Sequence, residues 1–167
     1  GGQKLIFNGP YEIKSKNIYI PGDPSSAAFI VVGALITPNS KIKLLDVSLN
    51  KTRVAYLSIL KKMGGKIKIE KTKIRSGEQL GTITVATSAL KGITIRSSLS
   101  PYLIDEYPIL SIAASQAKGI TYMKGLDELR HKESDRIKSI VGMLKSFGIR
   151  TEIKKNDIKI YGSPSKE

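Results

Sequence analysis

The stretch SILKKMGGKIKI at residues 58–69 recurs in altered form as GMLKSFGIRTEI at residues 142–153. Corresponding positions of the two stretches lie about 84 residues apart. In each copy, apolar residues at helical spacing are followed by glycine and then by a strand with alternating residue types. Duplication of a whole supersecondary unit is a strong indication of fold. The sequence therefore predicts a protein built from two copies of one unit.

The flanking residues extend the unit and predict the order β-α-β-α-β-β in each copy. Asp23 and Pro24 are the residue types favoured at an N-cap and at the first position of a helix. The first copy has predicted strands at residues 17–23, 41–47, 66–74 and 81–87, with helices at residues 27–36 and 52–63. The second copy has predicted strands at residues 92–98, 119–126, 151–155 and 157–161, with helices at residues 108–117 and 133–147.

The first helix of each copy consists of apolar and small residues. AAFIVVGALI at residues 27–36 is apolar on every side, and PILSIAASQA at residues 108–117 is similar. Such helices are typical of a buried position, so we expect the helices to pack inward and the sheets to lie outside. The predicted fold class is α/β (α+β), with repeated βαβαββ units over residues 17–91 and 92–163.

Length and composition limit the possible functions. The 167 residues include 40% hydrophobic and 25% charged residues, as in an ordinary globular protein. No apolar run reaches the roughly 20 residues of a membrane span, so we expect no membrane partner. The absence of cysteine excludes disulfides and thiolate metal sites, one histidine argues against a zinc site, and this usage suits a reducing cytoplasm. The chain begins without methionine, and we expect it to start inside a longer protein.

The formal net charge of +14 raises the question of nucleic-acid binding. Binders of RNA or single strands combine a basic stripe with exposed aromatic residues for stacking, whereas this chain has three Phe and no Trp. Its lysines alternate with apolar residues in KIKIEKTKIR at residues 66–75, which is typical of a half-buried strand with a charged outer face. We therefore expect no nucleic-acid partner. A basic balance also suits anionic small substrates, which a positive cleft attracts.

The densest group of charges lies in ELRHKESDR at residues 128–136, directly before an amphipathic segment. Lys132, Glu133, Asp135 and Arg136 are predicted to fall in the first turn of a helix. Lys132 and Arg136 would then share one face, and the exposed N–H groups of the helix start would add to the attraction for anions. The simpler interpretation is a capped, solvated helix start with i,i+4 ion pairs.

Four segments in this order resemble the EPSP synthase (3-phosphoshikimate 1-carboxyvinyltransferase) family: PGDPSSAAF at residues 21–29, LNKTR at residues 49–53, LIDEYPIL at residues 103–110 and ELRHKESDR at residues 128–136. The resemblance implies transfer of the enolpyruvyl group of phosphoenolpyruvate to the 5-hydroxyl of shikimate 3-phosphate, with release of phosphate. This reaction belongs to the shikimate pathway to chorismate and aromatic amino acids. The resemblance also implies an inside-out barrel fold with two domains of three βαβαββ units each. This chain would supply two units of the C-terminal-side domain.

The resemblance further assigns roles to individual residues. It implies that Glu133 donates a proton to the methylene carbon of phosphoenolpyruvate and that Arg136 binds the carboxylate of the same substrate. Lys132 would contact shikimate 3-phosphate, and Glu128 matches a position that touches that substrate in some members of the family. Asp105, in LIDEYPIL, would hold the reacting hydroxyl and accept its proton.

Several residues near these motifs have structural alternatives. Asp105 precedes an apolar helix, where N-capping is the alternative to a catalytic role. Glu106 is expected to be structural, because the resemblance places the function on its neighbour. His131 is expected to be a tolerated surface variant, and Arg53 a partner in a structural ion pair. The segment at residues 21–29 resembles the crossover between domains, so its Asp and Ser residues are expected to act as caps and hinge residues.

The resemblance implies no cofactor and no metal. The expected partners are the two small-molecule substrates and the remainder of the chain, because the motifs that the family supplies from its other domain and its last unit do not occur here. The isolated chain is therefore expected to be inactive. Two alternatives stay open. One is a relative of UDP-N-acetylglucosamine enolpyruvyl transferase, which shares the repeat but lacks the KESDR run, and the other is a non-catalytic module that binds anions or a partner chain.

Overall fold

The computed structural model describes residues 4–10, 12, 14–131 and 134–164. Helices α1 to α4 span Pro24–Ile36, Ala55–Lys62, Tyr107–Ser115 and Arg136–Ser146. Strands β1 to β7 span Lys41–Ser48, Lys66–Arg75, Glu78–Ala86, Thr94–Ile95, Gly119–Met123, Thr151–Lys154 and Asp157–Gly162. Two 3-10 helices, Ser97–Tyr102 and Asp127–His131, precede α3 and α4.

The strands form two sheets with matching topology. The first sheet has the order β1-β3-β2, and both of its pairings are antiparallel. The second has the order β4-β5-β7-β6, in which β4 runs parallel to β5 and the other pairings are antiparallel. Gly22 forms an isolated parallel bridge with Val47 of β1, at the place that β4 occupies beside β5. The element order α-β-α-β-β thus recurs in both halves, and within the described ranges the two sheets do not close into a barrel.

The first strand of each copy is much shorter than predicted. The prediction of a strand at residues 17–23 is wrong apart from the bridge at Gly22, and the strand at residues 92–98 is reduced to Thr94–Ile95. Pro21 has no N–H to donate to a ladder, which limits pairing in the first copy. In the second copy the chain turns into a 3-10 helix from Ser97.

The second helix of each copy ends at a glycine with left-handed backbone. Gly64, after α2, has φ +100° and Gly148, after α4, has φ +73°. In both copies the N–H of the following residue donates to the carbonyl five residues earlier, at 2.9 Å. This arrangement closes the helix and favours glycine, because other residues are strained at positive φ. The two glycines occupy corresponding positions in the duplicated stretch, so the repeat seen in the sequence is also a repeat in backbone conformation.

A single hydrophobic core joins the two halves through α1 and α3. Helix α1 packs against α3, β1 and β3, and α3 packs against α1, α4 and β7. The expectation that these helices are buried and close together is confirmed, but α1 is not buried on every side. Phe29 and Ile30 are 56% and 54% exposed, because that side of α1 faces away from both α3 and the first sheet. Among the described residues, no helix is both long and apolar enough to cross a bilayer.

Candidate functional site

The starts of α3 and α4 lie side by side, and two of the predicted site residues meet there. Oδ1 of Asp105 lies 3.0 Å from Nη1 of Arg136. The Asp105 side chain is 52% exposed and that of Arg136 is 27% exposed. The same nitrogen approaches the carbonyl oxygen of Ile104 at 3.5 Å. The guanidinium therefore links the turn before α3 to the first residue of α4, and the carboxylate stays open to solvent.

Asp105 does not cap α3. The N-cap position belongs to Glu106, and no side chain there bonds to the backbone of the first turn. The carbonyl of Leu103 instead accepts hydrogen bonds from the N–H groups of Glu106, at 2.9 Å, and Tyr107, at 3.0 Å. The capping alternative for Asp105 is therefore wrong, and its carboxylate can bind a cation or a ligand.

Helix α4 starts at Arg136, three residues later than the predicted start at residue 133. Asp135 is its N-cap, and Oδ1 of Asp135 accepts a hydrogen bond from the N–H of Lys138 at 3.1 Å. That bond is the main reason why the pKa of the Asp135 carboxyl is lowered. The predicted start is wrong because an N-cap has extended backbone, as Asp135 has here. Lys132 and Glu133 themselves lie outside the described residues.

Arg130, to which the sequence suggested no role, attaches the residues before α4 to the second sheet. Its Nη1 lies 3.2 Å from Oδ2 of Asp135. Its Nε donates to the side chain of Asn156 at 2.7 Å, and its Nη2 donates to the carbonyl of Lys155 at 2.9 Å. Both partners lie in the turn between β6 and β7. The place of Arg130 inside the charged motif was the available signal, but its partners in a later turn are not visible in the sequence.

Glu128 lies near the Asp105–Arg136 pair but does not bond to it. It is exposed on the 3-10 helix before α4 and lines a cleft of about 280 Å³ together with Ile104. Because Ile104 precedes Asp105, Glu128 flanks the same region of the surface as the ion pair. A second hollow, of about 200 Å³, lies between Arg136 and Pro108. One hollow is thus lined by the neighbour of Asp105, and the other is lined by Arg136 itself.

The residue after Asp105 is buried and bonded to the other half of the chain. Glu106 is 3% exposed, and its Oε1 accepts a hydrogen bond from the Ser25 hydroxyl at 2.5 Å. Nη2 of Arg53 donates to Oγ of Ser25 at 2.9 Å and lies 3.4 Å from Oδ1 of Asp23, the N-cap of α1. Burial raises the pKa of Glu106, and the bond from Ser25 opposes that shift. The predicted ion pair of Arg53 is therefore present, with Asp23 as the partner.

The exposed pair brings two complementary chemical groups together. A carboxylate open to solvent can take a proton from a hydroxyl within hydrogen-bond reach. A guanidinium can bind a carboxylate or a phosphate through two parallel bonds. The start of α4 adds a further partial positive charge. The arrangement suits a reaction between a hydroxyl and an anionic substrate.

Comparisons with known proteins agree with the resemblance in the motifs. Residues 2–166 match the family model described as EPSP synthase (3-phosphoshikimate 1-carboxyvinyltransferase). The 3-phosphoshikimate 1-carboxyvinyltransferase of Clostridium tetani is 49% identical over 154 residues, which cover 92% of this chain and 35% of that protein. The enzyme of the same name from Petrotoga mobilis is 45% identical over 151 residues, which cover 90% and 35%. This chain therefore spans about 35% of the length of these curated relatives.

Two solved structures show how far the similarity extends. An EPSP synthase from Acinetobacter baumannii aligns with a TM-score of 0.86 and 42% identity, covering 89% of this chain and 34% of that one. The enolpyruvyl transferase NikO from Streptomyces tendae aligns with a TM-score of 0.56 and 13% identity, covering 83% and 30%. The similarity to the first includes sequence and fold, whereas the similarity to the second concerns the fold alone.

Proposed function

The chain belongs to the EPSP synthase family, and we propose that it forms part of an enzyme that transfers the enolpyruvyl group of phosphoenolpyruvate to shikimate 3-phosphate. The acceptor is the 5-hydroxyl, and phosphate is released. The observation that carries the proposal is the 3.0 Å pair between Asp105 and Arg136 at the adjoining starts of α3 and α4. It joins a proton acceptor to a carboxylate-binding group in the two segments to which the family resemblance assigns those roles.

In the proposed reaction Asp105 binds the reacting hydroxyl and takes its proton while the hydroxyl oxygen bonds to C2 of phosphoenolpyruvate. Glu133, outside the described residues, donates a proton to the methylene carbon C3. The transferred group keeps its double bond and phosphate leaves from C2. Departure of phosphate must therefore be coupled to loss of a proton from C3, and Glu133 is the group that takes it back.

Arg136 binds the carboxylate of phosphoenolpyruvate in this proposal. Nη1 of Arg136 contacts Asp105, and the other N–H donors of the guanidinium suit a substrate carboxylate. The same side chain would then hold phosphoenolpyruvate beside the carboxylate that binds the acceptor hydroxyl. Lys132 contacts shikimate 3-phosphate, and the position of Glu128 on the neighbouring cleft supports a contact with the same substrate.

The remainder of a longer chain is the proposed macromolecular partner. Phe29 and Ile30 leave an apolar strip on α1 more than half exposed, and such a strip is typical of a surface that another segment covers. The curated relatives are long enough to supply both that cover and a second wall for the site. The units at residues 17–91 and 92–163 then form two parts of a larger domain. Location in the cytoplasm remains a proposal that rests on the cysteine-free composition.

The test compares the complete protein containing this sequence with residues 1–167 alone. Steady-state phosphate release from phosphoenolpyruvate and shikimate 3-phosphate is measured for both. We expect turnover by the complete protein only, because positioning of the two substrates needs groups from both walls of the cleft. Turnover with UDP-N-acetylglucosamine in place of shikimate 3-phosphate would favour the related transferase instead. Absence of turnover with either acceptor would favour a non-catalytic module.

A further inference from the structure

Asp105 and Glu106 are neighbours in the sequence but lie in opposite environments. The side chain of Asp105 is 52% exposed beside Arg136, whereas Glu106 is only 3% exposed. Removing a carboxylate from water is unfavourable unless hydrogen bonds or cations compensate. A buried carboxyl directly beside the proposed proton acceptor therefore needs a physical reason.

The partners of Glu106 come from the first half of the chain. Ser25, in the first turn of α1 and 81 residues away in sequence, donates its hydroxyl to Oε1 at 2.5 Å. Arg53 donates to the same hydroxyl oxygen at 2.9 Å. The Ser25 hydroxyl therefore bridges the Arg53 guanidinium and the Glu106 carboxylate. Tyr56 of α2 is fully buried nearby, and its hydroxyl pKa is raised by burial first and by the charge of Glu106 second. The carboxyl is thus enclosed by the starts of α1 and α2.

These contacts fix the start of α3. Glu106 is the N-cap residue of α3, and its carbonyl accepts a hydrogen bond from the N–H of Leu110 at 2.8 Å. The residue whose side chain is bonded to Ser25 is therefore also the residue whose backbone begins the first turn of the helix. Asp105 is attached to Glu106 by one trans peptide unit, about 3.8 Å between Cα atoms, and moves with it. Arg136 belongs to α4 and does not share this anchor.

We propose that Glu106 is a positioning residue for Asp105: its buried carboxyl, bonded to Ser25, holds the start of α3 so that Asp105 lies at the reacting hydroxyl. This inference rests on the proposed transfer reaction. Glu106 does not touch substrate, because its side chain is enclosed in the interior. The alternative is that Glu106 only stabilises the packing of α3 against α1, and the two roles have different effects on turnover.

The central experiment is Glu106→Ala in the complete protein, which leaves the Ser25 hydroxyl without its acceptor. We expect kcat to fall about 10- to 100-fold, because a misplacement of about 1 Å costs about 100-fold in rate. The KM for phosphoenolpyruvate should change less than about threefold, because Arg136 lies on another helix and removal of an interaction made only in the transition state leaves KM unchanged. Glu106→Gln keeps the shape and an acceptor oxygen for Ser25, so kcat should stay within about threefold of wild type.

A matched control separates positioning from loss of stability. Leu60 is fully buried in α2, and Leu60→Ala destabilises the core without removing a bond to Glu106. Well below its unfolding temperature, this variant should keep the wild-type kcat. An equal loss of kcat in Leu60→Ala and Glu106→Ala would contradict the positioning role, as would a normal kcat in Glu106→Ala with a lowered thermal midpoint.

A second pair of variants covers the case in which Glu106→Ala does not fold. Ser25→Ala removes the hydroxyl from the same bond and should lower kcat by a smaller factor, and Ser25→Thr should restore it. An unchanged kcat in Ser25→Ala would then overturn the positioning role. A complete wild-type protein without turnover contradicts the proposed function, and the positioning role with it. An active wild type with an unaffected Glu106→Ala variant contradicts the positioning role alone.

Discussion

The two halves of the chain each have an Asp–Arg pair near the starts of their two helices, but the two carboxylates are bonded differently. In the first half, Asp23 before α1 lies 3.4 Å from Arg53 before α2. In the second half, Asp105 before α3 lies 3.0 Å from Arg136, the first residue of α4. Each pair links the start of the first helix of its half to the start of the second helix.

The difference lies in the other bonds that each carboxylate makes. Oδ2 of Asp23 accepts hydrogen bonds from the N–H of Ser26, at 2.7 Å, and from its hydroxyl, at 2.8 Å. Asp105 leaves the start of α3 without a side-chain cap. A carboxylate occupied by backbone donors stabilises a helix, whereas one bound only by an adjacent guanidinium can receive a substrate hydroxyl. The carboxylate of the first pair is therefore part of a helix cap, whereas the carboxylate of the second pair is available to a ligand.

The largest expected effect is a difference in turnover between variants of Asp105 and variants of Asp23. In the complete protein, Asp105→Ala should lower kcat about 10²–10⁴-fold, the usual contribution of a general acid or base. Glu133→Ala should lie in the same range. Asp23→Ala should instead lower the free energy of unfolding by about 1 kcal/mol through loss of a helix cap. Phosphate release measures kcat, and urea unfolding measures the free energy of unfolding. Normal turnover in Asp105→Ala would contradict the proposed difference in role between Asp105 and Asp23.

The two arginines should differ in substrate saturation. Arg136→Ala should raise the KM for phosphoenolpyruvate about 10- to 100-fold, because charge-assisted bonds to a carboxylate are lost. The KM for shikimate 3-phosphate should change little. Arg53→Ala should change the free energy of unfolding by about 1 kcal/mol or less, as for other exposed ion pairs. Initial-rate measurements with each substrate varied check this, and an equal rise of the phosphoenolpyruvate KM in both variants would contradict it.

The contributions of Asp23 and Glu106 to the free energy of unfolding should change with pH in opposite directions. The pKa of Asp23 is lowered, mainly by the Ser26 N–H, so its stabilisation is complete above the unfolded pKa of about 4 and is lost as pH falls through the folded pKa. The pKa of Glu106 is raised, mainly by burial and further by the charge of Asp105, with Ser25 and Arg53 opposing. Its contribution is complete below the unfolded pKa and is lost as pH rises through the folded pKa.

Isosteric amide variants of Asp23 and Glu106 allow these opposite pH dependences of stability to be measured. Asp23→Asn should reduce stability at pH 7 and converge with wild type as pH falls through the lowered pKa of Asp23. Glu106→Gln should be at least as stable as wild type at pH 7 and should lose that advantage at about pH 4. Urea unfolding over a series of pH values gives both curves. Curves of the same sign would show that Glu106 and Asp23 do not differ as described.

The smallest expected effect concerns Tyr56, a buried polar residue whose counterpart in the second half is the apolar Ile140. Tyr56 is fully buried, and in the part of the chain that the structure describes its hydroxyl has no hydrogen-bond partner. The corresponding residue of the repeat is Ile140, 2% exposed. Tyr56→Phe should change the free energy of unfolding by less than about 1 kcal/mol, toward greater stability. Ile140→Val should cost about 1 kcal/mol, and a larger loss in Tyr56→Phe would indicate a partner for the hydroxyl.

Much of the fold was predictable because local signals repeat. Apolar spacing and the glycines Gly64 and Gly148 mark the second helix of each copy without reference to the rest of the chain. The failures occurred where tertiary contacts decide the outcome. Residues 17–23 have strand composition but gain only one bridge, at Gly22. Phe29 and Ile30 have the composition of a core but are more than half exposed, because burial depends on packing that the local sequence pattern does not show.

The candidate site was only partly predictable. The motifs identified Asp105 and Arg136, but their contact joins residues 31 positions apart, and it depends on how α3 packs against α4. The predicted start of α4 was wrong because several residues of the charged motif could act as a cap, and the structure selects Asp135. Glu106 is buried, which fits the expectation of a structural residue, whereas its bond to Ser25 could not be predicted from local pattern.

The bond between Ser25 and Glu106 also bears on the order in which the molecule forms. All strand pairings within the two sheets lie inside one half, so each sheet can assemble from nearby residues, whereas this bond closes a loop of 81 residues. Until the two halves dock, we expect the Glu106 carboxyl to remain hydrated. Its desolvation would then occur in the docking step of folding. We expect refolding followed by hydrogen exchange to protect the amides of β3 and β7 before those at the start of α3. In a newly synthesised chain, both sheets would then form before Asp105 reaches its position beside Arg136.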